Sequence, residues 1–194
     1  MKRIIRKLKN TAGFTLAEML LTVVILLLAS GVVATGMPAA VNAYRNAIDA
    51  ANAQVLLSTT VNALRDELST ARDVQVSGKT ITYTGTDTGS RSTIDLSSSP
   101  FTIQEYVGQS TSYEFLDGDT LQAPPASSHP LVPEAMAKTT KNGSLMTVEV
   151  DSISPPDSDG VITITGLTVK REGTVIARMP AGTDLTIRVF TVQP

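Results

Sequence analysis

Residues 14–37 form a run of 24 side chains with one charge among them, Glu18. As a helix rising 1.5 Å per residue, the run is about 36 Å long, enough to cross a hydrocarbon layer of about 30 Å with some tilt. Five basic side chains, Lys2, Arg3, Arg6, Lys7 and Lys9, precede it with no acid between them. A basic flank is retained on the cytoplasmic side of a membrane. The pattern predicts a single-pass protein with its N-terminus in the cytoplasm and its remaining chain outside. Gly31, Gly36 and Pro38 close the run. Proline lacks a backbone donor and crowds the preceding turn, which predicts a bend or local melting around residues 35–38.

Glu18 sits near the start of this run. An acid inside a hydrocarbon segment costs about 2.5–3.5 kcal/mol on insertion scales. Nothing else in the segment offers it a partner, so the sequence predicts a partner on another chain. A secretory signal fits poorly, because its apolar region spans about 7–15 residues and this one is longer. Small residues at Ala34, Ala39 and Ala40 would otherwise suit its cleavage. A plain membrane anchor leaves the acid without a role, whereas intramembrane acids are as a rule functional.

Gly13 followed by Phe14-Thr15-Leu16-Ala17-Glu18, behind the basic leader and ahead of the apolar run, resembles the signal of type IV prepilins and pseudopilins. The resemblance is close over about the first 40 residues and extends loosely to the plan of a long helix followed by a β-rich head. It implies that a prepilin peptidase cuts between Gly13 and Phe14 and methylates the new amino terminus of Phe14. It implies that Glu18, at the fifth mature position, serves assembly. It also implies partners: other pilin or pseudopilin subunits, a membrane platform protein and, indirectly, an assembly ATPase. Pro38 lies somewhat later than the helix-relaxing proline of many major pilins. After the cut, Phe14 would carry a positive α-amine at neutral pH. At about 4 Å from a neighbour's Glu18 the attraction is about 4 kcal/mol at an effective dielectric of 20. Each charge is costly alone and tolerable when paired, so the pair would set the register of stacked helices. The uncut precursor, whose N-terminus is the cytoplasmic leader, could not form it.

The helical period continues past the proline. Val41, Tyr44, Ile48, Ala51 and Val55 recur at three and four, as do Leu57, Val61, Leu64 and Leu68, and each set predicts one apolar helix face. The widening at Val55-Leu56-Leu57 marks where the helix begins to lie against a head. Arg45, Asn46, Asp49, Asn52, Arg65, Asp66 and Arg72 fall on the polar face, for which solvent exposure is the expectation. The helix is predicted to end near residues 72–75. Beyond it the period becomes two, with strands predicted over 79–84, 92–96, 101–107 and 113–116 between turn clusters. The prolines of residues 122–143 predict a long surface loop. Strands are then predicted over 145–150, 161–170 (with a bulge at Gly166, where the alternation changes parity), 174–179 and 184–192, as a meander.

The fold class predicted is α+β and pilin-like: a leader over 1–13, a membrane and filament-core helix over 14–37, an amphipathic helix over 38–73, and an antiparallel β-rich head over 74–194. All 18 acidic residues lie beyond the basic leader, so nucleic acid is not expected as a ligand of the head. Cysteine is absent and His129 is the single histidine. That excludes thiolate chemistry, disulfides and Cys–His metal centres. His129 lies in the proline-rich loop, where a triad base would not be held rigidly. Asp117-Gly118-Asp119 and Asp157-Ser158-Asp159 lack the spacing of a Ca²⁺ loop and read as turn formers. No enzyme, no metal and no cofactor is expected. The reading is a structural subunit, a minor pilin or pseudopilin, of a type IV pilus, competence or type II secretion-like filament. It is held in the lipid bilayer before assembly and displayed at the cell surface afterwards. The alternative is an extracellular adhesin or binding module on a single-pass anchor.

Overall fold

The computed structural model describes residues 15–85, 90–106, 112–114, 120–122, 127–140, 143–180 and 182–190. The leader, Gly13, Phe14 and the Asp117–Asp119 turn lie outside them. The chain divides into two units, Met1–Asn46 and Ala47–Pro194.

Helix α1, Leu16–Ser69, runs for 54 residues with Pro38 inside it. The bend or melting predicted at residues 35–38 is corrected: these residues are helical without a break. Proline deletes one donor, and in a helix of this length the neighbouring turns carry the geometry across. Hydroxyls bond back to the ladder at several turns. Thr22 Oγ1 donates to the Glu18 carbonyl at 2.7 Å and Ser30 Oγ to that of Leu26 at 2.7 Å. Thr35 Oγ1 donates to the carbonyl of Gly31 at 3.1 Å. In the first unit every described side chain is exposed. The helix is long and apolar enough to cross a membrane.

In the second unit the helix buries Asp49, Ala53, Leu56, Leu57, Thr60, Leu64 and Leu68. Their spacing puts them on one face, because residues three and four apart stack on a helix. The onset of packing expected at residues 55–57 is corrected: burial begins earlier, at Asp49 and Ala53. Of the apolar stripe predicted over residues 41–55, the second unit holds Ile48 half-buried and leaves Ala51 and Val55 exposed, Val55 at 52%. The helix stops at Ser69, short of the predicted 72–75. Ala71 is buried, and Arg72 already pairs with Thr84 and bridges Phe190.

Strands β1 (Arg72–Ser77), β2 (Thr80–Thr84), β3 (Arg91–Asp95), β4 (Thr102–Glu105) and β7 (Ser127–Pro130) form one antiparallel sheet in the order β1-β2-β3-β4-β7. Ile81, Ile94 and Ile103 stand opposite one another on its core face. The strands β5 (Ser112–Glu114) and β6 (Thr120–Gln122) pair as a separate hairpin. The long loop predicted over 122–143 is corrected. Ser127–Pro130 pairs with β4, Glu134–Ala137 is a 3-10 helix, and Lys138 bridges Leu145. Pro130 is tolerated because it closes an edge strand, where a missing donor breaks no inner ladder.

The remaining strands are β8 (Thr147–Glu149), β9 (Ser152–Ser154), β10 (Val161–Thr165), β11 (Thr168–Arg171), β12 (Thr174–Arg178) and β13 (Leu185–Arg188). They make two three-stranded sheets, β13-β10-β9 and β12-β11-β8. The predicted single strand over 161–170 is corrected to two strands in different sheets. Glu149 faces Thr168 and Ser152 faces Thr165, so the register with β8 and β9 runs through the break without a shift. Thr168 faces Arg178 and Ile164 faces Leu185, so the pass made by β12 and β13 carries about three extra residues at its break. The six strands are thus a three-pass meander broken once in each pass. The parity change at Gly166 is present: Ile162 and Ile164 are buried before it, Leu167 and Val169 after it. The irregularity in pairing falls elsewhere, between Val169 and Lys170 against β12. The helix face, both three-stranded sheets and the five-stranded sheet share one hydrophobic core that includes Leu64, Leu68, Ile81, Ile94, Ile164 and Leu185.

Gly166 has φ +67°, and a Cβ there would lie 2.0 Å from Asp151 Oδ2. Gly166→Ala should therefore lower stability by about 1–2 kcal/mol from backbone strain alone, with the contact added. Denaturant unfolding of Gly166→Ala in the parent and in an Asp151→Gly background, which also removes the Asp151 Cβ that would lie 2.6 Å away, checks this. The double variant should recover the contact and retain the strain.

Candidate functional site

Glu18 lies in the first turn of α1 and closes it. Thr15 precedes the helix, its amide and hydroxyl donating to Glu18 Oε2 at 3.1 and 3.3 Å. The Glu18 amide donates to Thr15 Oγ1 at 3.2 Å, and the Met19 amide to the Thr15 carbonyl at 3.2 Å. This is a reciprocal capping box, which satisfies amides that the first helical turn leaves without partners. The expectation that nothing in the segment offers Glu18 a partner is corrected: Thr15 does. The signal was present in the sequence, as Thr15-Leu16-Ala17-Glu18 has the Thr-x-x-Glu spacing of such a box. Gly13 and Phe14 lie outside the described residues.

A second carboxylate, Asp49, was assigned to the solvated face. The structure reverses that, as Asp49 is 0% exposed. Its Oδ1 accepts the backbone N–H of Thr140 at 2.7 Å and the Thr140 hydroxyl at 2.9 Å. Its Oδ2 accepts from Arg171 Nη1 at 2.8 Å. Thr140 stands in the loop closed by the Thr139 amide on the Ser144 carbonyl, and Arg171 ends β11. One carboxylate thus joins the helix to two other elements. Asp49 is in phase with Ala53, Leu56, Thr60, Leu64 and Leu68, and its spacing to them was the signal missed. Burial alone would raise its pKa. The Thr140 amide and hydroxyl and the Arg171 guanidinium outweigh that and hold it below the ordinary carboxylate value.

At the other end of the packed face, the Tyr83 hydroxyl donates to Glu67 Oε1. Burial, and then Glu67, push the Tyr83 phenol well above its usual range, so it stays a neutral donor. His129 is exposed on β7 opposite Ile103, on a paired strand instead of a loop. Asp157 Oδ1 accepts the amides of Asp159 at 2.9 Å and Val161 at 2.8 Å, which makes it a turn former. Among the described residues no three His, Asp or Glu side chains gather where a metal could be held. A partly open cavity of about 20 Å³ beside Leu56, Phe101 and Val132 has room for about one water.

No family model, curated protein or solved structure matches the chain.

Removing Arg171 leaves Asp49 as an uncompensated buried charge. Arg171→Met should cost about 3 kcal/mol, the lower end for a broken buried pair, because the Arg171 side chain keeps 22% of its surface. The folded-state pKa of Asp49 is depressed from an unfolded value near 3.8. Its contribution is therefore complete above that pH and is lost as pH falls through the lower, folded value. The stability difference between parent and Asp49→Asn, followed by denaturant unfolding against pH, should be constant at neutral pH and shrink only below about 4.

Proposed function

We propose that the chain is a structural, non-enzymatic subunit of a type IV pilus or pseudopilus-like filament, of the minor pilin or pseudopilin kind. Prepilin peptidase cuts it between Gly13 and Phe14 and methylates Phe14. Residues 14–37 then hold it in the bilayer, N-terminus inward and head outward, until assembly moves them into the filament core. The observation that carries this reading is the sequence Gly13-Phe14-Thr15-Leu16-Ala17-Glu18 at the head of an uninterrupted helix whose first 30 or so residues are covered by nothing in the first unit. An apolar face of that size needs lipid or other helices around it.

The capping box refines how the switch works. Before assembly, Glu18 is held by the Thr15 amide and hydroxyl. Cleavage brings a cationic amine to Phe14, beside the box, and a neighbour's amine can then compete for Glu18 Oε2. The Thr15 donors are neutral, whereas a neighbour's amine adds a full opposite charge, about 4 kcal/mol of attraction at about 4 Å and an effective dielectric of 20, so the intermolecular pair outcompetes the local one. Partners follow from the same chemistry: the peptidase, like subunits, a platform protein and, through it, an assembly ATPase.

Intact-mass and N-terminal peptide mass spectrometry, after co-expression with a prepilin peptidase, tests the reading. A chain starting at methylated Phe14 is expected. An intact Met1 would instead favour a single-pass anchor bearing an extracellular binding module, and a terminus near residues 37–41 would favour secretion. Glu18→Ala should leave cleavage unchanged and reduce incorporation into filaments at least tenfold, the loss set by about 1.4 kcal/mol or more of pairing. Equal amounts of variant and parent in sheared filaments would refute the pairing.

A further inference from the structure

The outer edge of β8 is finished by parts of the fold that are not strands. β8 ends its sheet and pairs with β11 alone, Thr147 opposite Lys170 and Glu149 opposite Thr168. Alternate residues of an antiparallel strand turn their backbone groups to opposite sides, so those of Met146, Val148 and Val150 face away from β11. Each of these residues meets a different partner there. The Met146 amide donates to the Ala137 carbonyl at 2.6 Å. The Val148 amide donates to Ser99 Oγ at 3.0 Å, and Lys79 Nζ donates to the Val150 carbonyl. We propose that Ser99 and Lys79 act as plugs: they hold the places at which a strand of a second copy would bond to β8, and so keep two heads from joining edge to edge.

An open sheet edge is a template for another strand unless something blunts it. β7 closes on Pro130, and β12 is irregular opposite Val169-Lys170. β8 has neither device: it holds no proline, and its pairing with β11 runs without a shift. Its sequence favours strand addition, since Leu145-Met146-Thr147-Val148-Glu149-Val150 contains three β-branched residues and no glycine or proline. The blunting therefore comes from outside, from side chains 49 and 71 positions away. A cleft of about 230 Å³ lies along this edge, lined by Lys79, Leu96, Ser97, Ser99 and residues 147–150. It has room for several waters. Water can thus take over the Val148 amide and the Val150 carbonyl when a plug is removed, and little folding stability is at stake. What the two side chains contribute is exclusion. This inference concerns residues of the second unit alone and does not depend on the filament reading.

The test uses the full chain in detergent, as parent, as Ser99→Ala, as Lys79→Met and as the double variant. The probe is a fluorescent peptide of residues 144–151 of this chain. Fluorescence anisotropy reads binding, and amide hydrogen exchange at Val148 reads where the peptide binds. The double variant should unfold as cooperatively as the parent and bind the peptide about tenfold or more tighter, the gain expected from freed backbone partners. Its Val148 amide should exchange faster than the parent's when the peptide is absent and slow again when it is bound. A peptide carrying Val148→Pro should not bind, because proline removes a donor that the ladder needs. Equal binding by parent and variants, undiminished binding of the proline peptide, or binding that leaves Val148 exchange unchanged would overturn the plugs. Loss of cooperative unfolding in all three variants would overturn them too, by making both side chains a source of stability. Where one variant fails to fold, the others are read by the same two signals.

Discussion

A helix that nothing in its own unit covers must satisfy its own backbone. In an apolar medium an unpaired amide or carbonyl costs several kcal/mol, and among the described residues of the first unit no other element lies beside residues 15–46. The chain meets this demand locally. The Thr15–Glu18 box answers amides of the first turn, and the hydroxyls of Thr22, Ser30 and Thr35 turn back onto carbonyls one turn earlier instead of standing unpaired. Pro38 removes one donor from this ladder, and the helix continues past it. The same economy explains how Glu18 is tolerated. Its charge is spent on the helix terminus, where the amides and the positive end of the helix dipole favour an anion.

The second unit works by a different rule. There the helix is half covered, and the apolar seam from Ala53 to Leu68 sets its position by burial. Polar ties stand at its two ends, Asp49 with Thr140 and Arg171, and Glu67 with Tyr83. They lie 18 residues apart, about 27 Å along the axis, and they reach different strands. The meander that Arg171 belongs to is itself broken once in each pass, and in the first two passes the buried parity changes across the break, from Val148 and Val150 to Ile153 and from Ile162 and Ile164 to Leu167 and Val169.

Much of this was legible in the residues. The strands predicted over 79–84, 92–96, 174–179 and 184–192 all correspond to observed elements, whereas β1 lies where the helix was expected to continue. The parity change at Gly166 was legible as a pattern, and its cause was not. A bulge and a switch between sheets leave the same alternation, and they differ only in whether the register with the partner strand shifts. The strand at Ser127–Pro130 was hidden because three of its residues are exposed on an edge, so no alternation was imposed on them. Asp49 was hidden for a deeper reason. A residue's polarity predicts its exposure only when no partner awaits it, and Arg171 and Thr140 lie more than 90 positions away in the chain.

The two carboxylates of α1 make the limit of such reading concrete. Both are acids in helical sequence, and composition treats them alike. Glu18 finds its donors within three residues, so its environment can be read from the Thr-x-x-Glu spacing, and it remains exposed to a further partner. Asp49 finds its donors only through the completed fold, and no partner can reach it without opening that fold. An accessible acid with a local bond can exchange that bond for a stronger one, as the proposed assembly step requires. An enclosed acid with distant bonds cannot exchange them, which suits it to hold elements together. Which role an acid takes is thus decided by the sequence distance and accessibility of its donors, and only the first of these two acids had donors near enough to be read.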